Sequence, residues 1–389
     1  MKKNSEQLKL IEDLFATNEF FEIANRNTQS EEFVDVFLKA VIALSSISGV
    51  GAKKIKEYLK PLLFSTGYQA IFDEDKYFLS QIIEKKIVIP YATRQYVEDV
   101  LKELSDRKIS FIPIGHENYP KSFYRLTDPP NWIFCQGNIK LINSKKIIGI
   151  VGTRQPSKAG IKLAQQLSQE LSKRSMVVLS GLAKGIDEVA HRATIDIFGE
   201  TIGIIGQGIN YGYSKEISSL VDEIIKNDGL IISEYLPSDP PTKSNFLQRN
   251  RLQAALSRVI IPIELSSINS GTASTIRRSK EFSTPVIGVY PPSQSSPGLE
   301  RTRSILTEMG VRVFEISSES SPLFWKYLLS VFALEAWEIN KSTKQDRFFN
   351  QIIDEFLLKQ NSLEISGSDI QRFYNLLSKK LEGVKTQND

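Results

Sequence analysis

Hydrophobic positions change their spacing about 110 residues into the chain. Before that point apolar side chains recur three or four positions apart, as they do along one face of an amphipathic helix. One such stretch contains Phe33, Val36, Phe37, Ala40, Val41 and Leu44. Few strand-like runs interrupt this spacing. We therefore predict a small helical domain over residues 1–108.

A glycine-containing turn lies inside this helical part. Gly49 and Gly51 separate two amphipathic segments in the run LSSISGVGAKKIKEYL. This arrangement is typical of a helix-hairpin-helix or SAM-like domain, whose glycines bring backbone N–H groups close to a phosphate. A simple turn between two helices fits the same residues equally well. The pattern alone does not choose between them.

From Lys146 onward, short β-branched runs alternate with helical stretches. The runs are KIIGIV, MVVLS, TIGIIG, LIIS, RVIIPIE, PVIGVY and VRVFEI. Nearly continuous apolar strands that alternate with helices are typical of a parallel sheet covered on both faces. We therefore predict an α/β domain with an extended Rossmann-like parallel sheet over residues 109–317. The pattern returns to helical spacing afterwards, which predicts a helical C-terminal region over residues 318–389.

Polar and glycine residues concentrate where these predicted strands end. The run GTRQPSKAG places Arg154 and Ser157 just before a helix start, and the run SGLAKGID supplies Gly181 and Lys184 after the next strand. In such a sheet ligands bind beyond the carboxyl ends of the strands. Cations, tight glycine turns and free N–H groups at helix starts suit a phosphate. We therefore expect an anionic ligand at these two loops.

The largest group of candidate binding residues lies in the run TKSNFLQRNRLQAAL, which we interpret as a loop that leads into a helix. It contains Lys243, Phe246, Arg249, Asn250 and Arg251. Cations near a helix start oppose the helix dipole and so indicate an external negative charge. A ring among cations suits single-stranded nucleic acid, because unpaired bases stack on the ring while the cations neutralise phosphates. A core ring beside arginines in surface ion pairs is the alternative.

Two further predicted strand ends carry glycines. Gly271 and Thr272, in the run SSINSGTAST, stand at another predicted helix start, and we expect them to complete the binding pocket. The run GIIGQGINYG is similar to a dinucleotide-binding fingerprint. However, Tyr211 replaces its third glycine and no acidic partner follows at the expected distance. The run is therefore weak support for NAD binding.

Residues suited to catalysis are few. His116 and His191 are the only histidines in the sequence. Asp187 and His191 stand four positions apart and are able to form an acid–base pair, but a carboxylate at a helix start beside a packed histidine is the favoured interpretation. Glu234 and Glu264 follow strands, and the sequence shows no partner for either. We expect no catalytic residue, no metal and no cofactor.

Composition and charge narrow the class of protein. The chain has 389 residues, 41% of them hydrophobic, which is enough for two or three domains. Its net charge is +4, and residues 145–316 hold 21 Lys and Arg against 16 Asp and Glu, so the basic excess lies in the predicted sheet domain. Cys135 is the only cysteine, and no run has the length of a membrane helix. We therefore expect a cytoplasmic protein that contacts no membrane.

Several of these runs, in this order, resemble the bacterial DNA-processing protein A family (DprA, also called Smf). The similar region covers about residues 109–290 and includes ISFIPIGHENYP, SGLAKGIDEVAH, FLQRNRLQAALS and SGTAST. The resemblance implies an extended Rossmann fold, a homodimer that binds single-stranded DNA, and transfer of the strand to a RecA-type recombinase in DNA uptake, transformation or recombination. It implies no enzymatic activity. It assigns strand binding to Arg154, Gly181, Lys184, Lys243, Phe246, Arg249 and Asn250.

Three alternatives remain open. One is a sensor or hydrolase for a nucleotide-like ligand, similar to the lysine-decarboxylase-like phosphoribohydrolases, although only Gly271 and Thr272 of their glycine loop are present. Another is a DprA-like component of defence against foreign DNA. The third is a protein-interaction role for the terminal helices. The sequence departs from the resembled family in the run GLERTRSIL and in its last segment, which lacks the pattern of a winged helix.

Overall fold

The computed structural model describes residues 31–46, 54–55, 91–292, 296–316 and 321–339. Within these ranges the helices are α1 (Glu31–Ser45), α2 (Tyr91–Asp106), α3 (Lys158–Ser172), α4 (Ile186–Ile195), α5 (Lys215–Lys226), α6 (Lys243–Leu256), α7 (Gly271–Glu281), α8 (Pro297–Glu308) and α9 (Ser321–Ile339). The strands are β1 (Ile109–Pro113), β2 (Trp132–Gly137), β3 (Ile147–Gly152), β4 (Val177–Ser180), β5 (Thr201–Ile204), β6 (Leu230–Ser233), β7 (Val259–Ile263), β8 (Ile287–Tyr290) and β9 (Arg312–Glu315). The predicted turn at Gly49 and Gly51 and most of the predicted C-terminal region lie outside the described residues.

Seven strands form one sheet in the order β1-β2-β6-β5-β4-β3-β7. Strand β3 is parallel to β4 and β7, and β5 is parallel to β6, whereas β2 is antiparallel to both β1 and β6. Strands β8 and β9 form a separate parallel pair, and a bridge between Ile260 and Val286 connects this pair to β7. A largely parallel sheet flanked by helices confirms the predicted Rossmann-like α/β class.

The seven runs predicted as strands are confirmed as β3 to β9. Every residue of β4, β5, β6 and β7 is buried, which explains why their sequences are largely apolar instead of alternating. Helix α3 places Leu163, Leu167 and Leu171 at intervals of four along one face. These side chains share a core with Ile148 and Ile150 of β3. The loop that follows β3 is therefore attached to a strand that packs into this core.

The apolar spacing does not predict β1 and β2. Both strands are largely buried, and Phe37 of α1 packs its ring against Phe111 of β1 and Trp132 of β2, with centroids 5.9 and 6.4 Å apart. The described part of the amino-terminal helices therefore shares a core with the first two strands. The apolar runs ISFIP and WIFCQG could have predicted these two strands, but they follow a segment with helical spacing.

The chain folds into two compact units, each built from two stretches of sequence. Met1–Ser144 and Ile202–Leu252 form the first unit, and Lys145–Thr201 and Gln253–Asp389 form the second. The first unit contains Lys243, Phe246, Arg249, Asn250 and Arg251, and the second contains Arg154, Ser157, Gly181, Lys184, Gly271 and Thr272. The predicted domain boundaries at residues 108 and 317 stay predictions. None of the described helices is both long enough and apolar enough to span a membrane.

Candidate nucleic-acid interface

In the second unit, the loop after β3 lies against the loop after β4. Gly185 has a φ of +88°, and a Cβ built on it would lie 2.5 Å from the Thr153 carbonyl oxygen and 2.8 Å from that of Arg154. The N–H of Ile186 donates to the same Thr153 carbonyl at 3.2 Å. Glycine is therefore required here for both its conformation and its size. As a result Arg154 and Lys184, both exposed, lie on adjoining loops.

The end of β4 anchors its loop to the sheet. Ser180 is fully buried, and its hydroxyl donates to the carbonyl of Ile150 at 2.6 Å. Gly181 is buried as well. Lys184 is therefore the candidate in this loop whose side chain reaches the surface.

At the start of α3, where we expect free donors beside Ser157, the donors are occupied by the carboxylate of Glu264. Ser157 caps the helix by accepting a hydrogen bond from the Gly160 N–H at 3.1 Å. The N–H and the hydroxyl of Ser157 both donate to Oε2 of Glu264 at 2.9 Å. The expectation of free donors here is therefore wrong, and the structure supplies the partner of Glu264 that the sequence does not show. A contact between Ser157 and a strand stays a prediction.

In the first unit, the run that we interpret as a loop leading into a helix is helical from Lys243 onward. Thr242 caps this helix, because its Oγ1 accepts a hydrogen bond from the Asn245 N–H at 3.0 Å. Arg249 and Arg251 therefore lie beyond the first turn, where the helix dipole has little effect on a charge. The interpretation as a loop is corrected, and the dipole argument applies to Lys243 alone.

Of the five candidate binding residues in this run, Lys243 and Phe246 are the least enclosed. Lys243 is exposed, and the structure records no ion pair for it within the described residues. Phe246 is half-buried, and a Cβ built on Gly206 would lie 3.0 Å from its Cδ1. A Cβ on Gly208 would lie 2.1 Å from the Leu236 carbonyl oxygen. The glycines of the fingerprint-like run therefore make room for the protein's own chain, which explains them without a dinucleotide.

Arg251 is held inside the first unit by an acidic partner. Its Nη1 and Nη2 donate to Oε1 and Oε2 of Glu234, both at 2.7 Å. Nη2 also lies 3.8 Å from Oδ2 of Asp128. Burial lowers the pKa of Arg251, but the carboxylate of Glu234 outweighs it and the net shift is upward. Arg249 and Asn250 are also buried. A strand contact by Arg251 would require this pair to open, and such a contact stays a prediction.

The start of α7 leaves space for a ligand at one position. Ser270 caps this helix and accepts from the Ala273 N–H at 3.2 Å. Gly271 is exposed, and no atom lies within 4 Å of a Cβ built on it, whereas Thr272 is buried. A close approach by a ligand backbone is therefore sterically possible at Gly271.

Asp187 and His191, the candidate acid–base pair, are both buried. His191 is fully buried with Nδ1 2.7 Å from Oγ1 of Thr201, and Asp187 is buried in the first turn of α4, which confirms the packed-histidine interpretation. Cys135 is buried, and burial raises the pKa of its thiol, which disfavours the reactive thiolate. Among the described residues, no group of three or more His, Cys, Asp and Glu is placed to hold a metal ion.

Comparison with known proteins places these features in a family. Residues 110–318 match the family model of DNA recombination-mediator protein A. The DNA processing protein DprA of Bacillus subtilis is 36% identical over 165 residues, which are 42% of this chain and 55% of that protein. DprA of Streptococcus pneumoniae is 36% identical over 185 residues, or 48% of this chain and 64% of that protein. The aligned parts therefore span less than two thirds of these relatives.

A solved structure agrees with the sequence comparison. The X-ray structure of DprA from Streptococcus pneumoniae superposes with a TM-score of 0.52 at 28% sequence identity, and covers 73% of this chain and 95% of that one. The family match spans more than half of the sequence and includes every strand from β2 to β9. The resemblance seen in the sequence is thus confirmed, and the chain belongs to the DNA recombination-mediator protein A family.

Proposed function

We propose that this protein binds single-stranded DNA at the loops that follow its sheet strands, and that it does so without changing the DNA chemically. One observation carries the proposal: Gly185 holds the loop of Arg154 against the loop of Lys184, so that two exposed cations lie on adjoining loops of the second unit. Exposed cations on adjoining loops suit successive phosphates of a nucleic acid backbone. The relatives named as DNA processing proteins support the same ligand.

A second feature, in the first unit, supports an unpaired strand. Lys243 is exposed one helical turn before the half-buried ring of Phe246. A cation and a ring at this spacing allow a base to stack while its phosphate is neutralised. Bases in a duplex are already stacked on each other and do not offer their faces in this way.

Two features argue against the alternative of a small nucleotide-like ligand. Phe246 and Leu236 fill the space beside Gly206 and Gly208, where a dinucleotide would need to approach. At the start of α3, Glu264 accepts the hydrogen bonds that a phosphate would need. A polymer that crosses the exposed loops does not need either space. The structure therefore favours a strand over a small nucleotide.

We also propose a homodimer that passes its strand to a RecA-type recombinase. The description of the family as recombination mediators supports this step. The measurements are the mass of the protein in solution by light scattering and the rate at which a RecA-type recombinase forms filaments on strands coated with a single-strand-binding protein. A monomer that leaves this rate unchanged would contradict the proposal and would favour the defence alternative.

Fluorescence titration of labelled oligo-dT over a series of salt concentrations tests strand binding. Affinity should fall with salt, with a slope of about 0.7 for each phosphate neutralised. Arg154→Ala, Lys184→Ala and Lys243→Ala should each weaken binding and reduce that slope. Lys173→Ala is the matched control, because Lys173 is exposed but follows the opposite end of α3. Binding that is insensitive to salt, or equal in all four variants, would contradict the proposal.

A further inference from the structure

Two helices of the second unit begin at one buried carboxylate. Ser157 caps α3, and Ser296 caps α8 by accepting from the Leu299 N–H at 3.3 Å. The side chain between them is Glu264, which directly follows β7 and is 6% exposed. Its Oε2 accepts both hydrogen bonds from Ser157. The carboxylate of Glu264 therefore lies at the amino-terminal ends of both α3 and α8.

Two glycines make room for this carboxylate. A Cβ built on Gly160 would lie 2.1 Å from Oε2 of Glu264, and a Cβ built on Gly298 would lie 1.9 Å from Oε1. Both distances are far below van der Waals contact. Each glycine lies in the first turn of its helix, α3 for Gly160 and α8 for Gly298. Both oxygens of Glu264 are therefore packed against a helix start.

Helix starts and hydroxyls, and not a cation, balance the charge of Glu264. The structure records no ion pair for this carboxylate within the described residues. The Ser157 hydroxyl donates to Glu264. The Ser296 hydroxyl lies 3.0 Å from the Ser157 hydroxyl and is able to donate a hydrogen bond to that oxygen. A buried carboxylate is unfavourable unless donors of this kind surround it. The positive ends of two helix dipoles add to the stabilisation.

We propose that Glu264 is an internal anion that occupies the position of a ligand phosphate and closes this position to free phosphate and to mononucleotides. In sheets of this class, the phosphate of a ligand binds at helix starts beyond the carboxyl ends of strands. Glu264 stands at such a strand end and makes the hydrogen bonds that a phosphate would make. Because it is part of the chain, a dissolved anion cannot displace it without disrupting the fold. This inference does not depend on strand binding elsewhere.

Replacement of Glu264 by glycine tests the inference. Glycine suits the φ of +49° at this position, and its lack of a side chain empties the space between the two helix starts. Unfolding of the full chain is followed in inorganic phosphate, with chloride at equal ionic strength as the reference. We expect phosphate to stabilise the unsubstituted protein much less than it stabilises Glu264→Gly. In Glu264→Gly, phosphate at ten times its dissociation constant should raise the ratio of folded to unfolded protein about tenfold.

A second substitution provides the matched control. In the Glu264→Gly background, Gly298→Ala places a methyl group where Oε1 of Glu264 had been, so the response to phosphate should be lost. Gly298→Ala alone should lower the unfolding midpoint much more than it does in the Glu264→Gly background, because the clash with the carboxylate is then absent. Equal effects in both backgrounds would overturn the inference.

The isosteric variant Glu264→Gln covers the case in which Glu264→Gly does not fold. It keeps the shape of the side chain but turns an amide toward groups that donate hydrogen bonds. Its unfolding midpoint should fall if the negative charge is what the two helix starts bind. An unchanged midpoint, or the same phosphate dependence in Glu264→Gly as in the unsubstituted protein, would overturn the inference. Oligo-dT binding by the unsubstituted protein, measured separately, reports only on the proposed function.

Discussion

Arg251 and Glu234 face each other through two hydrogen bonds of 2.7 Å, one to each carboxylate oxygen, and both side chains are buried. Removal of one member of a buried pair leaves the other charged and without its partner. We therefore expect Arg251→Ala to lower the free energy of unfolding by about 3–5 kcal/mol, measured by urea denaturation.

Lys243→Ala is the control for Arg251→Ala on the same helix. Lys243 is exposed, so its removal should change the free energy of unfolding by less than about 0.5 kcal/mol. If Arg251→Ala unfolds at the same urea concentration as Lys243→Ala, the pair does not stabilise the fold and does not oppose a strand contact by Arg251.

Phe246→Leu tests stacking apart from packing. Leucine fills much of the space beside Gly206 but offers no aromatic face to a base. Binding of oligo-dT should weaken by about 1–3 kcal/mol, the range for the loss of one stacked base. The measurement is the dissociation constant by fluorescence anisotropy at fixed salt.

Phe198→Ala is the control for an exposed ring outside the proposed interface. Phe198 is 90% exposed in the turn between α4 and β5, which lies at the amino end of that strand. Its removal should leave oligo-dT binding unchanged. Equal losses in Phe246→Leu and Phe198→Ala would show that Phe246 has no specific part in stacking.

His116 should make stability depend on pH near neutrality. The Asn118 N–H donates to its Nδ1 at 3.1 Å, which requires the neutral ring. Burial lowers the pKa of His116 below the ordinary 6.5, although Glu117 opposes this shift. The folded state therefore binds the proton less readily than the unfolded state. The folded state is therefore stabilised by the neutral His116 ring at high pH. This stabilisation is complete above pH 6.5 and declines as the pH falls from 6.5 toward the folded-state pKa of His116.

His116→Gln should remove that part of the pH dependence. Urea unfolding at about pH 7.5 and about pH 5 should show a smaller difference in the variant than in the unsubstituted protein. Because the other titrating groups are common to both proteins, the comparison isolates His116. An equal difference would assign the pH dependence to those other groups.

Gly185→Ala should separate the two loops that carry Arg154 and Lys184. Its φ of +88° and the 2.5 Å approach of the Thr153 carbonyl leave no place for a methyl group. The free energy of unfolding should fall by at least about 1–3 kcal/mol, the usual cost of such strain. Thermal or urea denaturation measures this loss.

Gly271→Ala is the matched substitution at a glycine with free space. No atom lies within 4 Å of the added Cβ, and the position is helical, so stability should stay level or rise by up to about 1 kcal/mol. If a strand approaches the backbone closely at Gly271, oligo-dT binding should nevertheless weaken. Unchanged binding would remove Gly271 from the proposed interface.

Much of the fold follows from local features of the sequence. A strand that is buried on both faces is largely apolar, and each of the runs of β3 to β9 is recognisable in the sequence from its apolar residues. β1 and β2 are harder to predict because they follow a helical segment. Their identity depends on the antiparallel partners that they find, including the pairing of β2 with β6 almost a hundred residues later.

The candidate site likewise has a part that the sequence predicts and a part that it does not. Glycines and cations after strands mark where ligands bind in this class of sheet, and local spacing is enough to find Arg154, Lys184 and Lys243. Local spacing does not show which polar groups the fold itself uses. Ser157 donates to a carboxylate 107 positions later in the chain, and Arg251 pairs with one 17 positions earlier.

The sequence by itself therefore determined the strands of the parallel sheet, the loops at their ends and the family. Only the tertiary structure decided that Ser157 and Arg251 have internal anionic partners while Arg154, Lys184 and Lys243 are exposed. The physical reason is the range of the forces involved. Burial and backbone preference act on neighbouring residues, whereas a buried charge is balanced by whatever group the packing of distant strands and helices brings within hydrogen-bond distance.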